Sequence, residues 1–208
     1  MTLFRNKMFF IIIIIVSIIP LLIIGFWLLI PLFLENPKYI ILQKNKYFQL
    51  RKYDEMIIAK IVTNGERYDS LRTGFIPLAR YIGAKERSGP KISMTAPVMQ
   101  QKKGTSTWEI SFFMPSKFNF DQLPLSSNNK IKITTVPTNT IAVVTFSGIV
   151  NTVLLEKKLS NLISWIEEKN YKIISKMEPI YSYYNDPSTP GFLRKNEIMI
   201  PVEIITSN

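Results

Sequence analysis

The interpretation of the chain begins with the stretch Arg87-Ser88-Gly89-Pro90-Lys91-Ile92-Ser93-Met94-Thr95-Ala96-Pro97-Val98. It opens with the turn signal Ser88-Gly89-Pro90, after which apolar and polar residues alternate as in a strand with one buried face. Its two prolines restrict such a strand to a sheet edge or to strand ends. The stretch therefore predicts a half-buried strand over residues 91–99. The side chains expected to face the core are Ile92, Met94, Ala96 and Val98.

The composition excludes several classes of function. The 208 residues include no cysteine and no histidine, and 26 basic residues against 15 acidic ones give a net charge of +11. Without cysteine there is no disulfide, thiol nucleophile or thiolate metal site. Without histidine there is no Ser-His triad, no histidine general base and no histidine-ligated zinc or haem. No nucleic-acid-binding motif or clustered basic stripe accompanies the charge, so we expect no nucleic-acid partner.

An uncharged apolar segment, Met8–Leu34, precedes the rest of the chain. Its 27 residues exceed the ~20 that cross a bilayer as a helix. A cleaved signal peptide is the alternative, but its apolar region would span only ~7–15 residues and end at a small-residue cleavage site. Here the apolar run ends at Glu35 without such a site. We therefore predict a transmembrane anchor over residues 1–35.

The charges around this segment bear on its orientation. Arg5 and Lys7 favour a cytoplasmic N-terminus, whereas five basic residues between positions 38 and 52 favour the opposite. The later charges belong to a long domain, where the positive-inside rule loses force. We expect a single-pass membrane protein whose domain lies on the extracytoplasmic side.

Residues 36–208 read as one α+β domain made of two similar halves, about 46–115 and 130–205. Each half has roughly the order strand-strand-helix-strand-strand (ββαββ), and a polar, turn-rich linker, Ser116–Asn129, separates them. This order predicts a duplicated unit whose strands close a mostly antiparallel sheet against two helices. The predicted strands are 46–53, 56–62, 91–99, 107–114, 130–136, 140–146, 171–175, 180–184 and 197–205, and the predicted helices are about 69–82 and 152–169.

The second predicted helix is regular and the first is not. Asn151 is a good N-cap and Asn170 a plausible left-handed C-cap for the second, whose apolar stripe indicates core packing. In the first, Gly74 and Pro77 interrupt a core stripe, and a proline costs ~3 kcal/mol inside a regular helix, so its surroundings must compensate. The stripes are Leu71, Phe75, Leu78 and Ile82 in the first helix, and Leu155, Leu159, Leu162 and Ile166 in the second.

A second row on the first helix has a functional interpretation. Arg72, Ile76 and Arg80 follow one another at i, i+4 and i+8, which separates the two guanidinium stems by ~12 Å along the axis. Two cations flanking an apolar patch would suit a flat apolar ligand with carboxylate tails. The alternative is a pair of solvated arginines on a surface face.

Several ordered segments, between them covering roughly residues 37–205, resemble the SOUL/haem-binding-protein family. They match its opening strand, first helix, central signature, later strands and C-terminal loop. The chain is identified on them as a membrane-anchored, bacterial-type member of that family. The segments are Tyr47-Phe48-Gln49-Leu50-Arg51-Lys52-Tyr53, Gly74-Phe75 with Leu78 and Tyr81-Ile82-Gly83, Lys91–Val98, Ile110–Pro115, Ala142–Gly148 and Tyr184–Glu197.

The resemblance implies a fold and a ligand. Family members have a distorted antiparallel β-barrel of two pseudo-repeated halves and bind haem or other tetrapyrroles in a shallow apolar groove between the first helix and the loop before the last strand. Carried over to this chain, Arg72 and Arg80 would hold the propionates. The residues implied to contact the ring are Phe75, Ile76 and Ala79 on the helix and Pro190, Phe192 and Leu193 on the loop.

The chain departs from the family in ways that affect haem. It lacks the axial histidine used by some members, and Ala79 stands where the family has a groove methionine. Glu86 stands where the family often has asparagine just before its signature. Axial ligation would fall to another side chain or to none, and for each candidate a structural role is favoured. These candidates are Tyr81, Tyr183, Tyr184, Met94 and Met99.

The function expected is a membrane-tethered carrier or buffer of haem or a related tetrapyrrole. Two alternatives stay open: an interaction module for another apolar ligand or for a protein partner, and an enzyme that removes the metal from a tetrapyrrole. The residues show no paired carboxylates, phosphate loop or metal-ligand spacing, so a binding role is favoured over an enzymatic one.

Overall fold

A computed structural model describes residues 14–20, 22, 25, 33–85, 87–174 and 177–205. The chain divides into two compact units, 1–34 and 35–208. In the first, residues 14–20, 22 and 25 are helical. The predicted anchor lies largely outside the described residues. Among those that are described, no helix is long and apolar enough to cross a membrane.

The second unit is an α+β domain. Over its described residues it contains ten strands, two α-helices and two short 3-10 helices, at Phe120–Gln122 and Gly191–Leu193. The strands are β1 (Tyr39–Asn45), β2 (Phe48–Tyr53), β3 (Met56–Asn64), β4 (Val98–Lys102), β5 (Thr107–Phe113), β6 (Lys132–Val136), β7 (Asn139–Ser147), β8 (Tyr171–Ile173), β9 (Ile180–Tyr183) and β10 (Lys195–Ile204). The helices are α1 (Arg67–Ile82) and α2 (Thr152–Glu168).

All ten strands join one sheet. Its order is β1-β2-β7-β10-β9-β4-β5-β3-β6, with β8 paired to the last residues of β10. Every strand pair is antiparallel. Among the described residues the curled sheet begins at β1 and ends at β6, and these two strands do not pair, so the domain is an open half-barrel. The expected closed, distorted barrel is therefore wrong in its closure and right in its antiparallel curl.

Helix α1 packs on β3 and β5. A Cβ atom at Gly74 would lie 2.4 Å from Cγ1 of Ile110 on β5, so glycine is needed for the close approach of helix and sheet. Leu78 and Tyr81 are fully buried, and the Tyr81 hydroxyl donates a hydrogen bond of 2.8 Å to the Pro124 carbonyl. This burial offsets the backbone bond that Pro77 removes, and the helix continues to Ile82.

Helix α2 packs on β7, β8 and β10, as its apolar stripe predicts. Asn151 caps its N-terminus, because its side-chain oxygen accepts a hydrogen bond of 2.8 Å from the Leu154 amide. Asn170 follows the helix with φ 55°, as its proposed left-handed conformation requires. Leu162 and Ile166 are fully buried in the main core.

The predicted strand over residues 91–99 is wrong in its first part. β4 begins only at Val98, and the preceding residues are irregular. The Thr95 hydroxyl donates to the Phe113 carbonyl at 2.6 Å, and the Ala96 amide donates to the Glu35 carbonyl at 3.0 Å. These bonds replace a strand ladder and bury Thr95, whereas Met94 is 39 % exposed instead of packed in the core.

A buried ion pair joins β2 and β10, and the sequence did not predict it. Two nitrogens of Arg51 donate to the two carboxylate oxygens of Glu197, at 3.0 and 3.1 Å, and both side chains are almost completely buried. Glu197 also accepts hydrogen bonds from the hydroxyls of Tyr184 at 2.6 Å and Thr145 at 3.1 Å. Arg51 donates further to the Tyr53 hydroxyl.

Strand β1 covers this ion pair and was also missed by the sequence analysis. Its Tyr39 ring lies 4.3 Å from the Arg51 guanidinium carbon. Most of β1 is exposed, so its residues show no alternation of apolar and polar side chains. The strand is defined by its pairing with β2.

Burial and the ion pair act on Glu197 in opposite directions. Burial alone would raise the pKa of its carboxyl, but the hydrogen bonds and positive charge of Arg51 outweigh that effect and hold the pKa below its ordinary value of 4.5. The stabilisation is therefore present above pH ~4.5 and is lost as the pH falls through the lower folded-state pKa.

Gly74→Ala should destabilise the domain by about 1–3 kcal/mol, because the new methyl group overlaps Ile110. Helix propensity alone would give a gain of about 1 kcal/mol. Urea unfolding measures the difference. Thr73→Ala, at the exposed neighbouring position, should stay within about 0.5 kcal/mol of the parent, and Gly74→Ala combined with Ile110→Ala should show a favourable coupling energy. A neutral Gly74→Ala would contradict the close approach.

Arg51→Met should cost about 3–5 kcal/mol, because it removes both guanidinium hydrogen bonds from the buried Glu197 carboxylate and leaves only the partly exposed Lys195 ammonium, 3.3 Å away, as its cation. Adding Glu197→Met should recover most of that loss, while the hydroxyls of Tyr184 and Thr145, deprived of their acceptor, keep about 1–3 kcal/mol of it. Stability measured from pH 7 to pH 3 should fall less steeply in the double variant. Glu203→Gln breaks an exposed pair with Lys172 and should change stability by less than about 1 kcal/mol.

Candidate functional site

The predicted cationic row lies on the solvent-facing side of α1. Arg72, Ile76 and Arg80 are all exposed, and Ile76 exposes 43 % of its surface between the two arginines. Phe75 and Ala79 are instead half-buried against the main core, where the Phe75 ring centre lies 5.4 Å from that of Phe112. Between the two arginines the apolar side chain that a ligand could reach is therefore Ile76, and the Tyr68 ring, 70 % exposed, lies one turn before Arg72 on the same helix.

The predicted loop residues lie around the 3-10 helix Gly191–Leu193. Phe192 is 72 % exposed, while Pro190 and Leu193 are half-buried. The loop is fixed from within, because Arg194 donates to the carbonyls of Thr189, at 2.8 Å, and Pro187. Phe192 is thus an aromatic side chain projecting from a well-anchored turn.

The loop is also attached to the connection between β7 and α2. The Gly148 amide donates to the Gly191 carbonyl at 3.1 Å, and a Cβ atom at Gly191 would lie 2.8 Å from Cγ1 of Ile149. The main packing of α1 is on β3 and β5. Each predicted half of the groove is therefore present on its own element, and a joint groove stays a prediction.

The three tyrosines considered as axial ligands are engaged elsewhere. The hydroxyl of Tyr81 donates to the Pro124 carbonyl, that of Tyr183 to Oε1 of Gln100 at 3.1 Å, and that of Tyr184 to Glu197. Burial raises the pKa of all three phenols, that of Tyr183 to about 12. A phenolate ligand at any of these tyrosines would require breaking its hydrogen bond.

A cavity on the opposite face of the sheet was missed by the sequence analysis. It encloses about 660 Å³. Its floor is apolar and its rim is formed by the β4–β5 hairpin, residues 102–105. Met99, proposed above as an axial ligand, lines it, whereas Met94 does not. The apolar residues that line it occupy alternate positions on several strands that are distant in sequence. They can be recognised as one site only when the strand pairing is known.

Neither region contains an evident metal centre. Across the residues that the structure describes, no group of three or more histidine, cysteine, aspartate or glutamate side chains could hold a metal ion. The arrangement on α1 and the loop offers the two arginines, the exposed aliphatic side chain of Ile76 and the exposed aromatic rings of Tyr68 and Phe192. These groups can bind an apolar molecule with anionic substituents.

Comparison with solved structures shows the fold. The C-terminal domain of EcmrR is similar with a TM-score of 0.56 and 18% identity, over 76% of this chain and 98% of that one. A protein described as a hydrolase from Listeria innocua has a TM-score of 0.53 and 11% identity, over 82% of this chain and 93% of that one. At these identities the likeness concerns the fold alone.

Comparison with family models is more specific. No curated protein matches the chain, but the model described as SOUL heme-binding protein matches residues 34–201. That range contains both helices, the loop at Gly191–Leu193 and every strand from β1 to β9. The chain therefore belongs to the SOUL heme-binding protein family.

Proposed function

We propose that this protein is a membrane-tethered carrier or buffer of haem or a related tetrapyrrole. Membership of a heme-binding family supports the ligand class. The observation that carries the site is the exposed row on α1, in which Ile76 lies between Arg72 and Arg80. The two arginines would receive the propionates, and Ile76 would contact the ring.

The side chains of the site fit the periphery of a tetrapyrrole. Arginine forms bidentate bonds with carboxylates, and the side chains of both arginines are exposed to solvent. Phe192 and Leu193 would cover the ring from the loop, next to Pro190, while Phe75 and Ala79 support Ile76 from beneath. The three buried phenols already hold hydrogen bonds, so binding in this proposal depends on contacts with the ring and the propionates. Haem itself supplies the redox and ligand chemistry once bound.

We also propose that the domain arose by duplication of a ββαββ unit. In one half the unit is β2-β3-α1-β4-β5, and in the other β6-β7-α2-β9-β10. The equivalent strands are β2 and β6, β3 and β7, β4 and β9, and β5 and β10. When each strand is replaced by its equivalent, the sheet order β2-β7-β10-β9-β4-β5-β3-β6 becomes the same order read backwards. This correspondence supports a twofold pseudo-repeat centred between β9 and β4.

The tether in this proposal is the segment Met8–Leu34, whose 27 residues carry no charge. Arg5 and Lys7 precede it, and the proposed orientation places the domain on the extracytoplasmic side. Arg5 and Lys7 are the basic residues before position 35, which leaves 24 basic against 15 acidic residues in the remainder. That excess would favour both propionates and anionic lipid head groups.

Hemin titration of the chain in lipid nanodiscs, followed by absorbance, should give a saturable shift at or below about 10 μM. Arg72→Ala and Arg80→Ala should each weaken binding by at most ~1.5–3 kcal/mol, the value of a lost hydrogen bond to a charged group, with solvent exposure reducing the effect. Lys157→Ala, an exposed cation on α2, should leave the titration unchanged.

Absence of saturation, or equal losses from all three variants, would refute the proposed site. The alternatives have their own readouts in the same sample. Free porphyrin that accumulates from bound haem would indicate a metal-removing enzyme. A protein or lipid that co-purifies with the chain, when hemin does not bind, would indicate an interaction module.

Membrane fractionation tests the tether. The chain should stay with the membrane after alkaline carbonate extraction, and deletion of residues 1–34 should release the domain, because the deletion removes the whole apolar segment. Protease added to cells whose outer layers are permeabilised but whose cytoplasmic membrane is intact should degrade the domain. Release of the intact chain by carbonate would contradict the anchor, and protection from protease would contradict the orientation.

A further inference from the structure

The two faces of the curled sheet differ in what covers them. Both helices lie on the face that carries Ile110, Ile198 and Ile200 and contribute to the main core there. Residues one position away along the strands face the other side, where Met199 and Ile141 belong to a separate, smaller apolar cluster. Part of this second face forms the 660 Å³ cavity.

The cavity has the form of a small-molecule site. Its volume of about 660 Å³ lies within the ~300–1,000 Å³ typical of such sites. Ile58, Ile141 and Met199 form a buried floor, with exposures of 6 %, 6 % and 5 %. The rim residues Lys103, Gly104 and Thr105 are exposed, so the cavity opens to solvent at the β4–β5 hairpin.

Methionine is the commonest apolar residue in the lining. Four of the eight methionines of the chain line this cavity: Met56, Met99, Met177 and Met199. Unbranched thioether side chains adapt to ligands of irregular shape. The sulfur of Met199 accepts a hydrogen bond of 3.1 Å from the buried Ser182 hydroxyl, which fixes one part of the floor. The lining thus combines a positioned floor with adaptable walls.

The charged residues that line the cavity are two lysines and two glutamates, and the lysines at the hairpin offer a place for an anion. Glu109 is already paired, with its oxygens 2.9 Å from Nζ of Lys60 and 3.6 Å from Nζ of Lys103. Lys102 adds a second rim cation, and the other lining carboxylate, Glu178, is exposed at the rim. A cationic ligand would have to compete with lysines for Glu109, whereas an anionic head group would add to the cations already present.

We propose that this cavity is a second binding site, for an apolar small molecule that carries an anionic head group. The apolar body lies against Met99, Met199 and Ile141, and the head group lies at Lys102 and Lys103. The site is on the sheet face opposite α1, so it does not depend on haem being the ligand of the Arg72–Arg80 row.

Photolabelling locates the site directly. The chain in lipid nanodiscs is irradiated with a diazirine-bearing dodecanoate, and labelled peptides are mapped by mass spectrometry. Label should concentrate on β4 and β10 and should be displaced by dodecanoate at least about tenfold more effectively than by dodecyltrimethylammonium, because the rim cations attract one and repel the other.

Matched variants separate the cavity from general partitioning. Met99→Trp fills the cavity and should reduce the label on β10 several-fold, whereas Met94→Trp, at an exposed methionine outside it, should not. Lys102→Glu with Lys103→Glu should reduce labelling about three- to tenfold. A double variant of α2, Lys157→Glu with Asn161→Glu, places two acidic residues at exposed positions of the helical side as a control and should leave it unchanged.

Equal displacement by the two amphiphiles, or label confined to α1 or to residues 1–34, would overturn the proposal. Thermal unfolding of each variant confirms that it is folded before labelling is compared. Hemin is added in a parallel sample to keep this proposal distinct from the tetrapyrrole proposal: hemin that binds without displacing the label supports two separate sites. Hemin that displaces it supports the cavity as a site for apolar anions and relocates the tetrapyrrole site to it.

Discussion

The buried ion pair between Arg51 and Glu197 is the constraint on which the two-faced sheet depends. β10 lies in the middle of the sheet, and its residues 196–202 are buried on both faces. A charge in such a strand is tolerated only when it is paired and its remaining hydrogen-bonding positions are filled. Arg51, Tyr184 and Thr145 fill them. The pair therefore fixes β2 and β7 against β10 on the face that no described helix covers.

Curling of the sheet solves a problem that this face creates. Apolar side chains there, such as Ile58, Ile141 and Met199, would be exposed on a flat sheet, yet each is nearly buried. Curvature brings the strands of the two halves around them, and the space that the side chains do not fill is the cavity. One sheet thus has a helix-covered core on one side and a partly filled concavity on the other.

Local sequence patterns predicted the helices and strands in which buried and exposed residues repeat regularly along the element. The stripe of α2 and its Asn151 cap follow from spacing alone, and most strand positions follow from alternation. Gly74 and Pro77 indicated that something must compensate in α1, but Gly74 is explained by Ile110 of β5, 36 residues along the chain, and Pro77 is offset by the burial of Leu78 and Tyr81. Long-range contacts of this kind are not encoded in any local window.

The errors have the same origin. Residues 91–97 alternate like a strand, yet their hydrogen bonds go to Glu35 and Phe113 and not to a ladder. β1 shows no alternation of apolar and polar residues. Its position is set by pairing with β2 and by the cation–π contact between Tyr39 and Arg51, and neither requires an apolar face. Arg51 and Glu197 both lie in segments that resemble the family, but their pairing spans 146 positions. The available signal in the sequence was a charged residue, Glu197, inside a largely apolar strand. Such a residue must have a partner, but the local sequence does not show which residue that partner is.

The distribution of apolar surface also constrains where binding free energy can arise. Exposed charges chiefly steer and orient a ligand, because water screens them, whereas burial of apolar surface contributes roughly 25 cal/mol per Å². The row on α1 presents two arginines with Ile76 between them and the exposed Tyr68 ring one turn before Arg72, so cover from the Phe192 loop would add substantially to the apolar surface buried there. In the cavity, by contrast, Ile58, Ile141 and Met199 already form a buried apolar floor beside the rim lysines. On α1, the charges that orient a ligand are therefore accompanied by little buried apolar surface. In the cavity, rim charges and a buried apolar floor lie next to each other.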